Sequence, residues 1–99
     1  MARSHPLTVL TVCGVGMGSS LILKMTAEGA LSDLGVRARV ENADLTTARG
    51  TAADVVIGQG MHMGEMEGTA PVVVAVDDFL DREGLARELR GPLEEQGWL

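Results

Sequence analysis

The chain has 99 residues, of which 45% are hydrophobic and 2% aromatic, and its formal net charge is −6. This length predicts a single domain over residues 1–99. The acidic balance argues against nucleic-acid binding, which needs clustered lysine and arginine. No apolar run is long enough to predict stable membrane insertion. The single cysteine excludes an intramolecular disulfide and predicts a reducing, cytoplasmic location.

The first predicted element is a strand over Leu7 to Val12, a nearly continuous run of apolar residues and threonines that is typical of a strand buried on both faces. A turn rich in glycine follows. From Ser19 the apolar residues recur at helical spacing, which predicts a helix that ends at Gly35. Its buried stripe would comprise Leu23, Ala27, Ala30, Leu31 and Leu34.

The middle of the chain predicts three further strands. Residues 36–40 alternate between apolar and charged, which indicates a half-exposed strand at a sheet edge. Residues 44–49 are weakly helical. Two apolar runs, 55–58 and 71–76, predict buried strands, and proline is acceptable as the first residue of the second. The intervening residues 59–70 predict a loop rich in glycine and methionine.

The last predicted element is a helix opened by Asp77 and Asp78. Gly91 and Pro92 interrupt its pattern, which predicts a kink or a break into two pieces. Trp98 is expected to pack the tail onto the body of the domain. The buried positions of the helix would be Leu85, Leu89 and Leu93, at four-residue intervals.

This order of elements predicts an α/β fold of the Rossmann-like or flavodoxin-like type. We expect a single three-layer domain with a four-stranded parallel sheet, strand order 2-1-3-4, joined by right-handed crossovers and covered by helices on both faces. In that order the second strand lies on one side of the first strand, and the third and fourth strands lie on its other side. The loop that contains Cys13 would then lie at the topological switch point, where such sheets bind ligands.

The glycine-rich turn after Cys13 predicts an anion site. Its backbone N–H groups and the positive end of the following helix dipole would converge on one point. Glycines can adopt φ > 0 and let the backbone close around a small tetrahedral anion such as phosphate. Residues 1–40 are also mildly basic, whereas acidic residues concentrate after them. The predicted phosphate-binding residues are Gly14, Val15, Gly16, Met17, Gly18, Ser19 and Ser20.

Cys13 would lie at the start of this cradle. The ordinary pKa of a cysteine thiol is about 8.5, and a helix N-terminus lowers it. We therefore expect a nucleophilic thiolate whose phosphorylated form the same donors could hold. The alternative interpretation is that Cys13 is a small buried residue that ends a strand, and that the glycines merely turn the chain.

The stretch CGVGMGSS, followed by Lys24 and Met25, resembles the phosphocysteine loop of enzyme IIB components of the bacterial phosphoenolpyruvate-dependent sugar phosphotransferase system, ascorbate (lactose/ascorbate-like) type. The resemblance implies a phosphotransferase in which Cys13 accepts a phosphoryl group from a histidine of the IIA component. Cys13 would pass it to a sugar, such as ascorbate or another pentose or sugar acid, held by the membrane IIC component. No cofactor is predicted. Val15 departs from the small or polar residue often found there.

The same loop resembles the Cys-x5-Arg-Ser/Thr cradle of low-molecular-weight tyrosine phosphatases, with one difference. Ser19 occupies the arginine position, so the bidentate phosphate clamp is absent and a hydrolytic transition state would be poorly stabilised. A thiol phosphatase is therefore the alternative to a phosphoryl carrier. Asp77 and Asp78 are candidates to assist transfer. Lys24, about 9 Å along the helix, is expected to be solvated or to contact a partner.

Two weaker signals point elsewhere. Met61, His62, Met63 and Met66 are soft ligands that suit Cu(I), but methionines on a loop also serve protein recognition, so no metal is predicted. We expect this loop to flank the phosphoryl site. Residues 10–13 loosely resemble a lipoprotein cleavage box, although Val12 is bulky where such boxes favour a small residue.

Overall fold

The structure is a computed structural model that describes residues 6–12, 17–43, 47–48, 50–59, 70–76, 78 and 80–98, with the side chains of 17–20 and 59 excepted. The strands are β1 (Leu7–Val12), β2 (Ala38–Ala43), β3 (Val55–Gln59) and β4 (Val72–Val76), and the helices are α1 (Met17–Asp33) and α2 (Arg82–Glu95).

The four strands form one parallel sheet in the order β2-β1-β3-β4, which confirms the predicted topology. Val12, at the end of β1, lies opposite Ala43 of β2 and Gly58 of β3. Gln59 lies opposite Val76 of β4. Because all strands run the same way, their carboxyl ends meet at one edge of the sheet.

One face of the sheet carries the larger core, which α1 and α2 cover together. The apolar stripe of α1 is buried as predicted, and Leu34 is partly buried beside it. The stripe of α2 at Leu85, Leu89 and Leu93 is also buried, and Trp98 packs against the same core. Aliphatic side chains at helical spacing therefore fixed which sides of the two helices face the sheet.

The opposite face of the sheet carries a smaller core. Leu10, Val12 and Val56 are buried there against Ala48 and Ala53, which lie between β2 and β3. Of the weakly helical stretch predicted at 44–49, residues 47 and 48 are helical and the others lie outside the described residues. The polypeptide therefore packs on both faces of the sheet, as the three-layer prediction requires.

The predicted bounds of the second strand were wrong. The second strand was predicted at 36–40, but β2 pairs residue by residue with the whole of β1 from Ala38 onward, and Val36 instead packs into the core below the end of α1. Gly35 does end α1, with a φ of +74° that favours glycine. The N–H of Val36 donates to the carbonyl of Leu31, which closes the helix terminus.

The start of the last helix differs from expectation, and of the predicted kink or break only the break is contradicted. Asp78 does not open α2, because its carboxylate accepts a hydrogen bond from the N–H of Leu80 in a turn. Asp81 is the N-cap instead, accepting from Gly84 N at 2.9 Å. The helix does not break at Pro92 but runs on to Glu95. Proline removes one hydrogen-bond donor from the helix at position 92, while Leu89 and Leu93 on either side of it stay buried in the core.

Candidate functional site

The candidate site lies at the carboxyl edge of the sheet, where β1 ends. The chain leaves the sheet at Val12 and re-enters regular structure at Met17, the first residue of α1. β1 has β2 on one side and β3 on the other. The chain therefore adds its second strand on one side of β1 and its third strand on the other side. The connection that contains Cys13 therefore starts at the switch point, as predicted.

The predicted phosphate-binding residues divide into two groups. Met17, Gly18, Ser19 and Ser20 form the first turn of α1, so the helix begins two residues earlier than predicted. Gly14, Val15 and Gly16 lie outside the described residues, as does Cys13. The phosphate-binding role of these seven residues and the phosphoryl-acceptor role of Cys13 stay predictions.

The N-terminus of α1 suits an anion on electrostatic grounds. The first N–H groups of any α-helix have no partner within the helix, and the helix dipole places positive potential there. The first turn of α1 contains no acidic residue that would neutralise this potential. α1 is 17 residues long, so its dipole is fully developed. An anion in the connection after Val12 would face this end of the helix.

A part-buried hydrogen bond links β1 to β2 one residue before β1 ends. Thr11 is fully buried, and its hydroxyl donates to Asn42 Oδ1 at 2.7 Å. Glu41 O is 3.4 Å from the same hydroxyl. Thr11 on β1 lies opposite Asn42 on β2 in the register of the sheet. Thr11 precedes Cys13 by two residues. This link holds β1 to β2. The sequence analysis did not identify it, although a polar residue in a strand expected to be buried on both faces was the available signal.

The other residues considered at this edge contribute differently. Asp78 is exposed and its carboxylate is engaged by Leu80 N, while Asp77 lies outside the described residues. The loop with Met61, His62, Met63 and Met66 also lies outside them, although it follows β3, whose end is at the same edge. Within the described ranges, no three His, Cys, Asp or Glu side chains are grouped to hold a metal ion.

The described helices include none that is both long and apolar enough to span a membrane. The longer of them, α1, has 17 residues and carries Lys24, Glu28 and Asp33. The exposed side of α1 nevertheless keeps apolar residues near its start, at Leu21, Ile22 and Met25.

Comparison with known proteins relates this geometry to one family. Residues 8–90 match the family described as the lactose/cellobiose-specific IIB subunit of the phosphotransferase system. An ascorbate-specific EIIB component from Mycoplasma pneumoniae is 28% identical over 86 residues, covering 84% of this chain and 90% of that protein. The lactose-specific IIB domain from Streptococcus pneumoniae has a similar fold, with a TM-score of 0.58 at 17% identity over 92% of this chain and 94% of its own.

Proposed function

The chain belongs to the lactose/cellobiose-specific IIB subunit family of the phosphotransferase system, and from this premise we propose that Cys13 is its phosphoryl carrier. Subunits of this family take part in sugar phosphotransfer and work with IIA and IIC components. In our proposal Cys13 receives a phosphoryl group from a phosphohistidine of the IIA component. It then passes the group to a sugar held by the membrane IIC component.

The observation that carries the proposal is the position of the chain's one cysteine. It immediately follows Val12 at the end of the central strand β1 and precedes the N-terminus of α1 by four residues. A thiolate at such a place is favoured by the helix dipole, and so is the negative charge of a phosphoryl group attached to it. Gly14, Val15 and Gly16 would supply the remaining backbone donors.

Transfer would proceed in two displacements at phosphorus. In the first, the Cys13 thiolate attacks the phosphoryl group, an S–P bond forms, the N–P bond of the phosphohistidine breaks, and the imidazole keeps the electron pair. In the second, a sugar hydroxyl oxygen attacks the same phosphorus, the S–P bond breaks, and Cys13 leaves as thiolate. The hydroxyl proton passes to a base or to water. The backbone cradle would stabilise the equatorial oxygens in both steps.

Ser19 distinguishes a carrier from a hydrolase in this scheme. An arginine at that position would clamp the phosphoryl oxygens and promote attack by water, whereas a serine offers one hydroxyl. A carrier must keep its phosphothiol from reacting with water until the acceptor arrives. In this proposal residues 1–99 form a single domain, and the protein acts in the cytoplasm.

Mass spectrometry tests the carrier role directly. The protein is incubated with phosphoenolpyruvate, the general phosphotransferase proteins and the cognate IIA component, and peptides are mapped for one added phosphoryl group. We expect it on Cys13, and none on the Cys13→Ser variant. Ser32→Ala, an exposed change in the last turn of α1, is the matched control and should be phosphorylated like the wild type. Phosphorylation of Cys13→Ser at the wild-type rate would contradict the proposal.

A second assay addresses the acceptor, which we propose to be ascorbate or a related sugar acid. Support comes from the ascorbate-specific EIIB relative, which covers most of the chain. Phosphorylated protein is mixed with membranes that contain the IIC component and either ascorbate or lactose. Loss of the phosphoryl group from Cys13 should require ascorbate. Release by lactose instead would overturn this assignment, and rapid release to water alone would favour a phosphatase.

A further inference from the structure

Large apolar side chains remain exposed on one side of α1 and beside it. Within the described residues, those exposed above two-fifths are Leu21 at 54%, Ile22 at 42%, Met25 at 63% and Leu80 at 75%. Leu21, Ile22 and Met25 belong to the first half of α1, and Leu80 precedes α2. We call these four residues the apolar patch. A contiguous patch of a few hundred Å² commonly marks an interaction site.

Three of the four residues of the apolar patch line a shallow hollow. Ile22, Met25 and Leu80 line a depression of ≈ 320 Å³ together with Thr26 and Arg82. Its wall is formed by both α1 and the turn before α2. A hollow that joins two elements offers a shaped surface, which a partner side chain could fill.

An ion pair between the two helices holds this hollow in place. Arg82 donates from Nε and Nη2 to the two carboxylate oxygens of Asp33, at 2.7 and 2.6 Å. The Arg82 side chain crosses α1 directly over Gly29, where a Cβ would lie only 2.7 Å from Arg82 Nε. The absence of a side chain at Gly29 therefore lets Arg82 reach Asp33. This contact fixes the turn that carries Leu80 against α1.

We propose that the apolar patch is the docking surface for the protein that donates the phosphoryl group to Cys13. This inference rests on the proposed function. A phosphoryl group on a protein side chain reaches Cys13 only when that protein covers the connection between β1 and α1. Met25 is eight residues into α1, or about 12 Å along its axis. A standard interface of about 800 Å² per partner extends on the order of 15 Å from its centre and so covers the patch.

The size of the patch favours a transient partner over a stable one. Four exposed apolar side chains are few beside the about 20–30 residues that each side of a standard stable interface contributes. A carrier must release its donor before it can meet its acceptor, so weak binding is what the relay needs. The net charge of −6 also opposes association of two copies of the chain. The phosphoryl donor meets both conditions.

Phosphorylation kinetics with a double variant, Met25→Gln/Leu80→Gln, tests the docking surface. Both side chains are exposed, so the fold should be retained. The probe is the cognate IIA component phosphorylated with phosphoenolpyruvate and the general phosphotransferase proteins. We expect the IIA concentration for half-maximal phosphorylation of Cys13 to rise about tenfold or more, with an unchanged plateau rate. Ser32→Gln/Glu88→Gln, exposed positions away from the patch, is the control and should match the wild type.

Three further measurements separate the outcomes. Alkylation of Cys13 by iodoacetamide should be equal in both variants and the wild type, which shows an intact loop. If wild-type Cys13 is phosphorylated but the patch variant has an unchanged IIA dependence, the docking proposal fails and the proposed function stands. It also fails if only transfer to the acceptor slows, or if sedimentation shows a wild-type dimer that the variant abolishes. If wild-type Cys13 takes no phosphoryl group, the proposed function fails first.

Discussion

Helix α1 has two apolar sides, one buried against the sheet and one exposed to solvent. Leu23, Ala27 and Leu31 are at most 1% exposed and pack on the sheet, whereas Ile22 and Met25, from the same turns, stay in solvent. Hydrophobicity alone does not separate the two sides, because both contain large apolar residues. The buried side stabilises the fold, and we assign the exposed side to partner binding. Apolar residues in one helix can therefore serve stability and recognition independently.

The largest expected effect on stability comes from truncating a side chain on the buried side of α1, with a truncation on the exposed side as its comparison. Leu31→Ala should lower the free energy of unfolding by about 2–5 kcal/mol, since it leaves a cavity in the larger core. Met25→Ala should change it by less than about 0.5 kcal/mol, because the side chain is exposed. Urea unfolding monitored by circular dichroism measures both. A cost for Met25→Ala as large as that for Leu31→Ala would mean that both sides stabilise the fold.

An intermediate effect is expected for the polar contact at the end of β1. Thr11→Val should cost about 1 kcal/mol of stability, because it removes the hydrogen bond to Asn42 Oδ1, while exposed Asn42 can bind water instead. A double-mutant cycle with Asn42→Ala, by urea unfolding, isolates the pair. Coupling near zero would show that the bond does not hold β1 to β2. If the bond positions the connection, Cys13 alkylation should also change in rate.

The smallest expected effect comes from the ion pair that borders the apolar patch. The hydrogen bond from Arg82, helped by its charge, holds the pKa of Asp33 below the ordinary value of 3.8. Because the pKa of Asp33 is lowered in the folded state, the pair stabilises the fold at pH values above 3.8. This contribution is lost as the pH falls through the folded-state pKa. Both side chains are about half exposed, so solvent weakens the effect.

Asp33→Asn tests this pH dependence. Thermal unfolding should show a lower Tm than the wild type at pH 7, and the difference should shrink below pH 4. Glu94→Gln, which breaks the exposed Arg90–Glu94 pair inside α2, controls for the loss of one surface carboxylate. An equal difference at pH 7 and pH 3 would contradict the assignment.

Local patterns predicted much of this fold. The apolar run of β1, the four-residue spacing in α1 and α2, and the glycine that ends α1 were each identified from the sequence and confirmed. The boundary of β2 was wrong because its pairing with β1, and not its own alternation, decides where it begins. The predicted start of α2 was wrong because Asp78 and Asp81 each accept a hydrogen bond from a backbone N–H, and only Asp81 caps the helix.

For the candidate site, the cysteine, the glycines and the strand order pointed to the carboxyl edge of the sheet. The Thr11–Asn42 link and the Arg82–Asp33 pair could not be predicted, since their partners lie 31 and 49 residues apart in the chain. Gly29 illustrates the same limit. In the sequence it is an unfavourable residue inside a helix, and its reason appears only when Arg82 crosses it.

The sequence by itself determined the elements, their buried stripes, and the place of Cys13 between a strand and a helix, because these depend on neighbours within a few residues. The tertiary structure decided what lies beside the exposed apolar residues of α1: Leu80 and Arg82 border Ile22 and Met25. That contact depends on where the start of α2 meets α1, and no local pattern encodes it. Burial is a property of the assembled chain, so the apolar patch became visible only in the fold.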